Sequence, residues 1–494
     1  MLPVNCGSHE DYQNFVVEQL RKYYPDPDKF SRSTWDIIER FWLLDLSFTD
    51  EFMKDKYSVF GPKPRTPSCM QRSYLLSIDF KVTSLTEWAA QLKINPLYAI
   101  LSGFEFGDTP GVGTFYDFLS RVWDSDQNNL CSHLHVPKPQ VKKPKKRGYK
   151  AEPTEKVTVD QLFKQLKSTS FSVADQPYHS LLRIYTEEFL TQSVSKGLID
   201  PSNLSIAGDG TPVVTSARER KHRVCNCSDK GISDCKCNRY FSQPDCDIGW
   251  DSSRGCFYHG YDLYMMVAAN TESDLPVFPL LNPASMHDSH GFLQTFFRMK
   301  SFLPDFHVKK LLLDSAHDAM PYYLYCRENG ITPFIDLNEK RGIKEVYKGE
   351  FTVGKDGVPV CQAGLKMRSD GTERAKGRTK YRCPLHIKGK GCSCKNPCTD
   401  STYGRVVHLA SKDNPRLFNI PPRNSQEWKT EYNARTAAER SNKREKIDFK
   451  LESGRHRSTK MWYCRLYHIL MLQHLDAWDL PFESALRKLI CNVA

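Results

Sequence analysis

Apolar residues recur three or four positions apart through the first part of the chain. The pattern is clearest in HEDYQNFVVEQLRKYY, SRSTWDIIERFWLLDLSF and SLTEWAAQLKINPLYAILSGF, and GVGTFYDFLSRVW adds a shorter example after a glycine. This spacing places the apolar side chains on one face of a helix, and the Ser and Thr residues before WDIIERF are candidate helix caps. We therefore predict a helical region over residues 1–131.

A basic stretch that contains several prolines interrupts this pattern at residues 132–157. Its sequence, SHLHVPKPQVKKPKKRGYKAEPTEKV, has no apolar periodicity and therefore predicts a linker. Such a charge run is either a solvated tether or a segment that lies along nucleic-acid phosphates, and the charges alone do not decide between the two. The cationic run consists of Lys142, Lys143, Lys145, Lys146 and Arg147.

Short apolar runs typical of strands alternate with helical segments from residue 158 onward. After the helical VDQLFKQLKSTSF and YHSLLRIYTEEFLTQSVSKGLI, three strands are predicted in LSIAGDGTPVV, GCFYHGYDLYMMVAAN and LPVFPLLNPA. HGFLQTFFRMKSFL then predicts a helix, HVKKLLLDSAHD a fourth strand, MPYYLYCRENG a helix and ITPFIDLN a fifth strand. This order predicts an α/β (mixed α+β) core over residues 158–339, with a mixed five-stranded sheet flanked by helices.

The periodic pattern is lost again over residues 340–425, which are rich in Gly, Cys, Lys and Pro. We interpret this segment as a Cys-rich subdomain inserted into the core. Helical patterns resume over residues 426–494, in SQEWKTEYNARTAAERSNKREKIDF and in STKMWYCRLYHILMLQHLDAW, and the second of these has an apolar face.

The composition favours a polyanionic partner. The chain of 494 residues has a formal net charge of +12, which points to nucleic acid first and to an anionic membrane second. A basic soluble protein without such a partner is the plain alternative. We see neither a secretory signal nor an apolar stretch approaching the roughly 20 residues that span a bilayer, so we expect a cytoplasmic protein without a membrane partner.

The 17 cysteines should then be thiols or metal ligands rather than disulfides. Clustered cysteines suggest structural Zn²⁺, although C-x-C is tighter than the usual C-x₂₋₄-C spacing, and reduced thiols in a loop-rich segment fit equally well. The candidate zinc ligands are Cys225, Cys227, Cys235, Cys237, Cys383, Cys392, Cys394 and Cys398. Weaker candidates nearby are Cys246, Cys256, Cys361, His222, His259 and His386.

Two aspartates lie just past the apolar part of predicted strands, Asp209 in LSIAGDG and Asp314 in LLLDSAHD. Ligand sites form beyond the carboxyl ends of parallel strands, so neighbouring strands would bring the two carboxylates together. Two adjacent carboxylates repel unless a cation lies between them, and Mg²⁺ suits such oxygen ligands. The alternative is that each aspartate is an ordinary turn or cap residue.

The stretch YNARTAAERSNKREK, residues 432–446, places one glutamate among basic residues. At about 100° per residue, a continuous helix would present Tyr432, Arg435, Glu439 and Lys446 within a stripe of roughly 60°. The alternative is a solvated face on which Glu439 pairs with Lys443, a contact that stabilises a helix by only about 0.2–0.5 kcal/mol.

These four residues form the pattern Y-x2-R-x3-E-x6-K, which resembles the signature of a large group of bacterial insertion-sequence transposases. That group has a DDE catalytic triad on a ribonuclease-H-like fold. AGDGTPV and LLLDSAHD resemble the segments with its first two aspartates, here Asp209 and Asp314, and FYHGYDLYMM resembles the strand between them. CQAGLKM, KYRCPL and YGRVVH resemble pieces of the insertion of some members. SYLLSIDFKVTSLTEWAAQL and TFYDFLSRVW are similar to the family's helical N-terminal region, so the resemblance covers about residues 70–475 and implies that the helical region over residues 1–131 binds DNA.

One motif departs from the family pattern. Many members have D-x-G-Y-D at the second aspartate, where this chain has Ala316 and His317 in place of Gly and Tyr. Asp318 is therefore a second candidate for that role. Because Asp318 lies further past the end of the strand, we favour Asp314.

The resemblance implies Mg²⁺-dependent (or Mn²⁺-dependent) DNA cleavage and strand transfer of an insertion sequence. Asp209, Asp314 and Glu439 would hold the metal. Tyr432, Arg435 and Lys446 would contact phosphates of the DNA. The partners would be double-stranded DNA, as element ends and target, and a second copy of the chain, in a bacterial nucleoid-associated setting. The alternatives are a catalytically inactive transposase-derived DNA-binding protein and a structural zinc-binding interaction module.

Overall fold

A computed structural model describes most of the chain. The described residues are 7–26, 30–58, 60–61, 63–130, 157–216, 222–223, 227, 229–233, 239–240, 243–338, 346–348, 351–353, 356–385, 398–454, 456–479 and 485–491. The predicted linker, with its cationic run of Lys142, Lys143, Lys145, Lys146 and Arg147, lies outside them except for its last residue.

The N-terminal part is helical, as predicted. Side-chain caps begin several of its helices: Ser8 and Asp11 form a capping box before the first, and the Ser31 hydroxyl accepts a hydrogen bond from the Thr34 N–H at the second. The helices are α1 (His9–Tyr23), α2 (Arg32–Leu43), α3 (Ser47–Met53), α4 (Pro67–Asp79), α5 (Leu85–Ile94), α6 (Pro96–Ser102) and α7 (Val112–Arg121).

The central part alternates helices and strands. It begins with helices α8 (Val159–Ser168), α9 (His179–Tyr185) and α10 (Thr191–Ser195), the last two joined by a π-helical turn at Thr186–Leu190. The strands and helices that follow are β1 (Leu204–Val214), β2 (His222–Arg223), β3 (Arg239–Tyr240), β4 (Asp247–Asp251), β5 (Cys256–Ala268), β6 (Pro276–Pro283), α11 (Asp288–Phe302), β7 (Val308–Leu313), α12 (Met320–Glu328) and β8 (Thr332–Ile335).

The main sheet mixes parallel and antiparallel strands, which confirms the mixed α/β class. Its order is β4-β5-β1-β7-β8, and β6 also pairs with β5. Strands β4, β6 and β1 are antiparallel to β5, whereas β1, β7 and β8 are mutually parallel. The prediction of five strands was wrong by one strand. Because β5 is 13 residues long, β6 covers only part of its outer edge and β4 pairs with the rest.

Helix α15 joins the sheet to the N-terminal helices. It runs from Thr459 to Ala477 and is buried on all sides, where the sequence predicted a single apolar face. Its His468 ring lies 3.0 Å from the Gln71 side-chain oxygen of α4, and its Tyr463 hydroxyl accepts from the Leu281 N–H of β6. One apolar core therefore extends from α1 through the sheet to α15. Within the described part of the chain, no helix is long and apolar enough to cross a membrane.

The inserted segment forms two small antiparallel sheets with an apolar cluster of their own. Val353, Tyr381, Leu409 and Phe418 belong to that cluster. The strands are β9 (Val346–Lys348), β10 (Phe351–Val353) and β11 (Pro359–Cys361) in one sheet, and β12 (Arg368–Glu373), β13 (Arg378–Arg382) and β14 (Val406–Ala410) in the other. The chain then continues through α13 (Gln426–Asn433), α14 (Thr436–Lys443), a π-helical turn (Arg444–Asp448), α15 and α16 (Ala485–Cys491).

An ion pair attaches the inserted segment to the end of the main sheet. The fully buried Asp318 carboxylate accepts hydrogen bonds from Arg416 at 2.8 and 2.6 Å, and from the Tyr323 hydroxyl and the Asn338 N–H. These bonds lower the pKa of Asp318 despite its burial. Asp318 therefore has a complete set of structural partners, which supports Asp314 rather than Asp318 as the exposed carboxylate of this motif.

We expect Arg416→Met to destabilise the folded protein by about 1–3 kcal/mol, since it leaves a buried carboxylate without its cation. Chemical denaturation followed by circular dichroism would measure the loss. Arg374→Met is the matched control, because Arg374 pairs with Glu427 at an exposed site and should cost less than about 1 kcal/mol. Equal losses for the two variants would contradict the anchoring role of Arg416.

Candidate active site at the ends of the parallel strands

Two aspartates lie side by side where the parallel strands β1 and β7 separate. The last paired residues of these strands are Ala207 and Leu312, and Asp209 and Asp314 occupy the next equivalent positions on the same face. Strand β1 continues beyond this point to Val214, paired with β5 alone. Asp209 thus lies inside the strand, whereas the sequence predicted the apolar part of the strand to end there. Both aspartates come together as predicted.

The two carboxylates differ in their tendency to ionise. Burial, and then the charges of Asp314 and Asp288, raise the pKa of Asp209 to about 7. Two carboxylates so close cannot both ionise without a compensating cation. At neutral pH, Asp209 is therefore protonated in a large fraction of the molecules when no cation is bound.

A buried histidine orients the second aspartate. Burial opposes ionisation of Asp314, but hydrogen bonds from the His317 ring at 2.6 Å and from the Ala316 N–H at 3.1 Å lower its pKa below the ordinary value. The other ring nitrogen of His317 lies 2.9 Å from the Tyr264 hydroxyl, and His317 is only 1% exposed. Asp314 is thus the ionised member of the pair. His317 occupies the position at which the family pattern has Tyr.

The helical segment above the pair is not one straight helix. Helix α13 ends at Asn433, α14 begins at Thr436, and a π-helical turn follows from Arg444. Between the helices, the N–H of Arg435 bonds to the carbonyl oxygen of Tyr432, three residues back. The single straight helix assumed for the predicted stripe was therefore wrong, because the helical period changes twice within the motif. Tyr432, Arg435 and Glu439 still neighbour one another, whereas Lys446 lies in the π-helical turn.

Glu439 forms an ion pair with Arg435 rather than with Lys443. The guanidinium and the Glu439 carboxylate are 2.7 Å apart, and the Glu439 side chain is half exposed. The charge of Arg435 also acts on Asp209 and Asp314, and opposes the rise of the pKa of Asp209. Arg435 therefore lies within electrostatic reach of all three carboxylates that the sequence singled out.

The three carboxylates share one side of the sheet but do not form a closed cage. Helix α14 packs on β1 and β5, and its Asn442 amide lies 3.5 Å from the Asp209 carboxylate. Among the described residues, no three Asp, Glu, His or Cys side chains are grouped closely enough to hold a metal ion. Glu439 is instead held by Arg435 at 2.7 Å.

Tyr432 and Lys446, the outer residues of the motif, both contact protein groups. The Tyr432 ring stacks on Trp428 at 4.5 Å, and burial raises the pKa of its hydroxyl to about 12. Lys446 donates to the Pro212 carbonyl oxygen of β1 at 2.6 Å and lies 3.4 Å from Glu452. Lys446 is thus engaged with the end of β1, where the sequence had predicted a free phosphate contact.

Most other cations of the motif are also paired. Arg440 binds Asp274, and Arg444 lies 3.2 Å from Asp476. The basic surplus of residues 432–446 is therefore partly neutralised, and less of it faces a ligand than the sequence indicated.

Two further aspartates near the site escaped sequence analysis. Asp262 lies on β5, on the face opposite Asp209, and Asp288 begins α11. A Cβ atom at Gly210 would lie 3.0 Å from an Asp262 oxygen and 3.1 Å from an Asp288 oxygen, so both carboxyl groups approach the backbone of β1 closely there. Burial raises the pKa of both carboxyls. An isolated charge within the apolar run YDLYMMVA was the available signal for Asp262.

The structure leaves the zinc prediction open. Of the eight principal zinc candidates, the structure describes Cys227, Cys383 and Cys398, and Cys383 is buried. No metal-binding group includes them within the described residues. The candidates Cys225, Cys235, Cys237, Cys392, Cys394 and His386 lie outside those residues.

Comparison with known proteins adds no assignment: no protein-family model matches the chain, and no curated protein matches it.

Proposed function

We propose that the protein is a DDE transposase, which cleaves DNA and transfers its strands in a reaction that depends on Mg²⁺ or Mn²⁺. The observation that carries the proposal is the in-register pair of Asp209 and Asp314, with the helix that bears Glu439 packed over the same strand. The sequence predicted a common site from these three segments of the chain; the two aspartates are adjacent, while Glu439 is held by Arg435. The Y-x2-R-x3-E-x6-K pattern gives this arrangement a chemical interpretation.

The order of the strands supports a ribonuclease-H-like core as part of this proposal. If the strands β1, β5, β6, β7 and β8 of the main sheet are numbered 1 to 5 along the chain, their order across the sheet is 3-2-1-4-5. The first three are antiparallel hairpin neighbours, and the last two are parallel to the first. This is the arrangement that the resemblance to the transposase group implies.

The donor set fits a divalent cation. Asp209 and Asp314 offer adjacent carboxylate oxygens, which Mg²⁺ prefers. Burial first, and then the neighbouring carboxylates, raise the pKa of Asp209, and a bound cation would favour its ionised form. Mg²⁺ bound there would lower the pKa of an attacking water or 3′-hydroxyl and stabilise the leaving oxygen. Glu439 would join the aspartates only after exchanging its bond to Arg435.

The residues around the pair have definable tasks in this proposal. His317 holds the Asp314 carboxylate in one orientation, so that the carboxylate does not have to be ordered when a ligand arrives. Arg435, once released from Glu439, presents a planar guanidinium that suits bidentate contact with a phosphate. Lys446 fixes the end of β1, and Tyr432 with Trp428 forms an aromatic support for Arg435.

Double-stranded DNA is the proposed partner, both as element ends and as target, and two copies of the chain would act together because two ends must be joined. The net charge of +12 supports attraction to DNA. Both statements about partners rest on the resemblance, as does the bacterial, nucleoid-associated setting.

One observation favours a second candidate, a catalytically inactive DNA-binding protein derived from such an enzyme. The Glu439–Arg435 ion pair leaves the three carboxylates without a common centre. In this alternative, the pair is permanent and the basic surface alone is used.

Cleavage of DNA that carries the ends of the host element, with and without Mg²⁺, separates the two candidates. We expect Glu439→Gln to lower the Mg²⁺-dependent cleavage rate by about 10²-fold or more, because it removes one carboxylate from the metal site. Glu427→Gln, on the preceding helix α13, is the matched control and should cleave at the wild-type rate. Cleavage equal in the two variants, or absent from the wild type in Mg²⁺ and Mn²⁺, would contradict the proposed function.

A further inference from the structure

A cleft of about 680 Å³ lies between the N-terminal helices and the segment that precedes α15. Its walls include Tyr74 of α4, the start of α5, Tyr116 of α7, and Arg457 and Arg465. The residues that line it include two arginines and no aspartate or glutamate. The cleft is separate from the carboxylate pair, and nothing in the catalytic proposal uses it.

Arg465 is a buried cation without a counter-ion. It is 1% exposed, and its guanidinium donates to the carbonyl oxygens of Phe449 and Lys450 at 2.9 and 3.1 Å. No carboxylate within the described residues forms an ion pair with it, and the neighbouring His456 has a pKa lowered to about 3, first by burial and then by the Arg465 charge. A buried charge is costly unless it is compensated, so this wall of the cleft favours an anion.

The mouth of the cleft adds two more sources of positive potential. Arg457 is exposed and has no ion pair with any described residue. The ten-residue helix α5 begins at Leu85, beside Ser84, and both residues line the cleft. The first N–H groups of a helix lack intrahelical acceptors and carry a partial positive charge, which attracts phosphate. Glu87, the acidic residue in that first turn, does not line the cleft.

An aromatic side chain lines the same cleft. The Tyr116 side chain is half exposed, and its hydroxyl is close enough to the buried Tyr74 to influence it electrostatically. An exposed tyrosine ring beside arginines is a combination that binds nucleotides, because the ring stacks on a base while the cations bind its phosphate.

Strand β1 connects the carboxylate pair with the edge of the cleft. From Asp209, β1 extends five residues to Val214, or about 17 Å at the rise of a strand. The Val214 N–H donates to Glu452 at 2.8 Å, and the next residue, Ser453, lines the cleft.

We propose that this cleft binds one nucleotide of a DNA strand, with the phosphate beside Arg457 and the start of α5 and the base against Tyr116. Its distance from the scissile phosphate rests on the proposed function, whereas the nucleotide site itself does not. A second cleft of about 360 Å³ provides the contrast within this molecule. Its lining includes four carboxyl groups, those of Asp45, Glu187, Glu188 and Asp479, against two cations, Arg40 and Lys196, so it has no excess of positive charge to offer a phosphate.

The test measures the affinity of the full-length protein for a fluorescein-labelled 12-nucleotide single strand by fluorescence anisotropy, without divalent cations. We expect Arg457→Ala and Tyr116→Ala each to raise Kd about tenfold, and Tyr116→Phe to bind like the wild type because it keeps the ring. Arg457→Ala should also reduce the slope of log K against log salt by about 0.7, as for one lost phosphate contact. Lys93→Ala, at the exposed far end of α5, is the matched control and should change Kd less than twofold.

Unchanged affinity in both alanine variants would overturn the proposal. Full competition by inorganic phosphate at submillimolar concentration would also overturn it, since the cleft would then hold a free small anion. Failure of the proposed function would look different. If the wild type never cleaves DNA but its binding still depends on Arg457 and Tyr116, the nucleotide site stands and only the transposase assignment is contradicted.

Discussion

Asp314→Asn should abolish Mg²⁺-dependent DNA cleavage, with a loss of about 10³-fold or more, and leave DNA affinity within about twofold of the wild type. Asp314 is the ionised member of the carboxylate pair, held by His317 and by the Ala316 N–H. The amide has nearly the same shape but no charge, so it would remove the strongest metal ligand while keeping the backbone contacts. Rates of single-turnover cleavage and DNA affinity in the same buffer would measure the two effects.

The chain offers a matched control for this variant beyond the other end of β7. Asp305 is an exposed carboxylate three residues before β7 begins, and Asp305→Asn should cleave normally. Loss of cleavage in both variants would indicate a general electrostatic effect. Full activity of Asp314→Asn would contradict the assignment of the site, and loss of DNA binding along with cleavage would indicate a structural role for Asp314.

The buried strands were the part of the fold most readily predicted from sequence. Strands β1, β5, β6, β7 and β8 each contain a short buried apolar run, because helices cover both faces of the sheet. Strand β4, with the sequence DIGWD, has no such run, and it exists because β5 extends beyond β6. A strand whose position depends on the length of its neighbour leaves little trace in its own residues.

The helix of the motif shows a second limit of sequence analysis. Glu445 is completely buried in the π-helical turn. Its carboxylate accepts hydrogen bonds from the Ser441 hydroxyl of α14 at 3.1 Å and from the Gln473 amide of α15 at 3.3 Å. The irregular turn and this buried carboxylate accompany the packing of the segment against α15. A helical wheel contains no information about α15, so it could not place Lys446 correctly.

The pairing of Asp209 with Asp314 was predictable because parallel strands bring their carboxyl ends to one edge. Asp262 and Asp288 were not predictable in the same way. Their proximity depends on the register of β5 against β1 and on the docking of α11, and both are set by long-range packing.

Asp209→Asn should stabilise the protein while it removes cleavage, and the stabilisation should increase with pH. The pKa of Asp209 is raised to about 7 in the folded protein, against about 3.9 for an unfolded aspartate. The folded state therefore holds a proton that the unfolded state releases, so wild-type stability falls as pH rises from about 4 to about 7. Asparagine does not ionise, so the variant avoids this loss of folding stability, which reaches about 2–4 kcal/mol above pH 7 in the wild type.

Chemical denaturation of both proteins in EDTA at pH 5 and pH 8 would measure this effect, and the advantage of the variant should grow by about 2 kcal/mol between the two values. Asp200→Asn provides a contrast, because hydrogen bonds from Ser202 lower the pKa of the exposed Asp200 and keep it ionised at both pH values, so this variant should lose stability by the same amount at pH 5 and pH 8. Saturating Mg²⁺ should stabilise the wild type and leave Asp209→Asn nearly unchanged, since binding to the folded state alone raises stability. Parallel pH dependences of wild type and variant would show that Asp209 ionises freely, and the carboxylate pair would then lack the mutual repulsion that makes it a cation site.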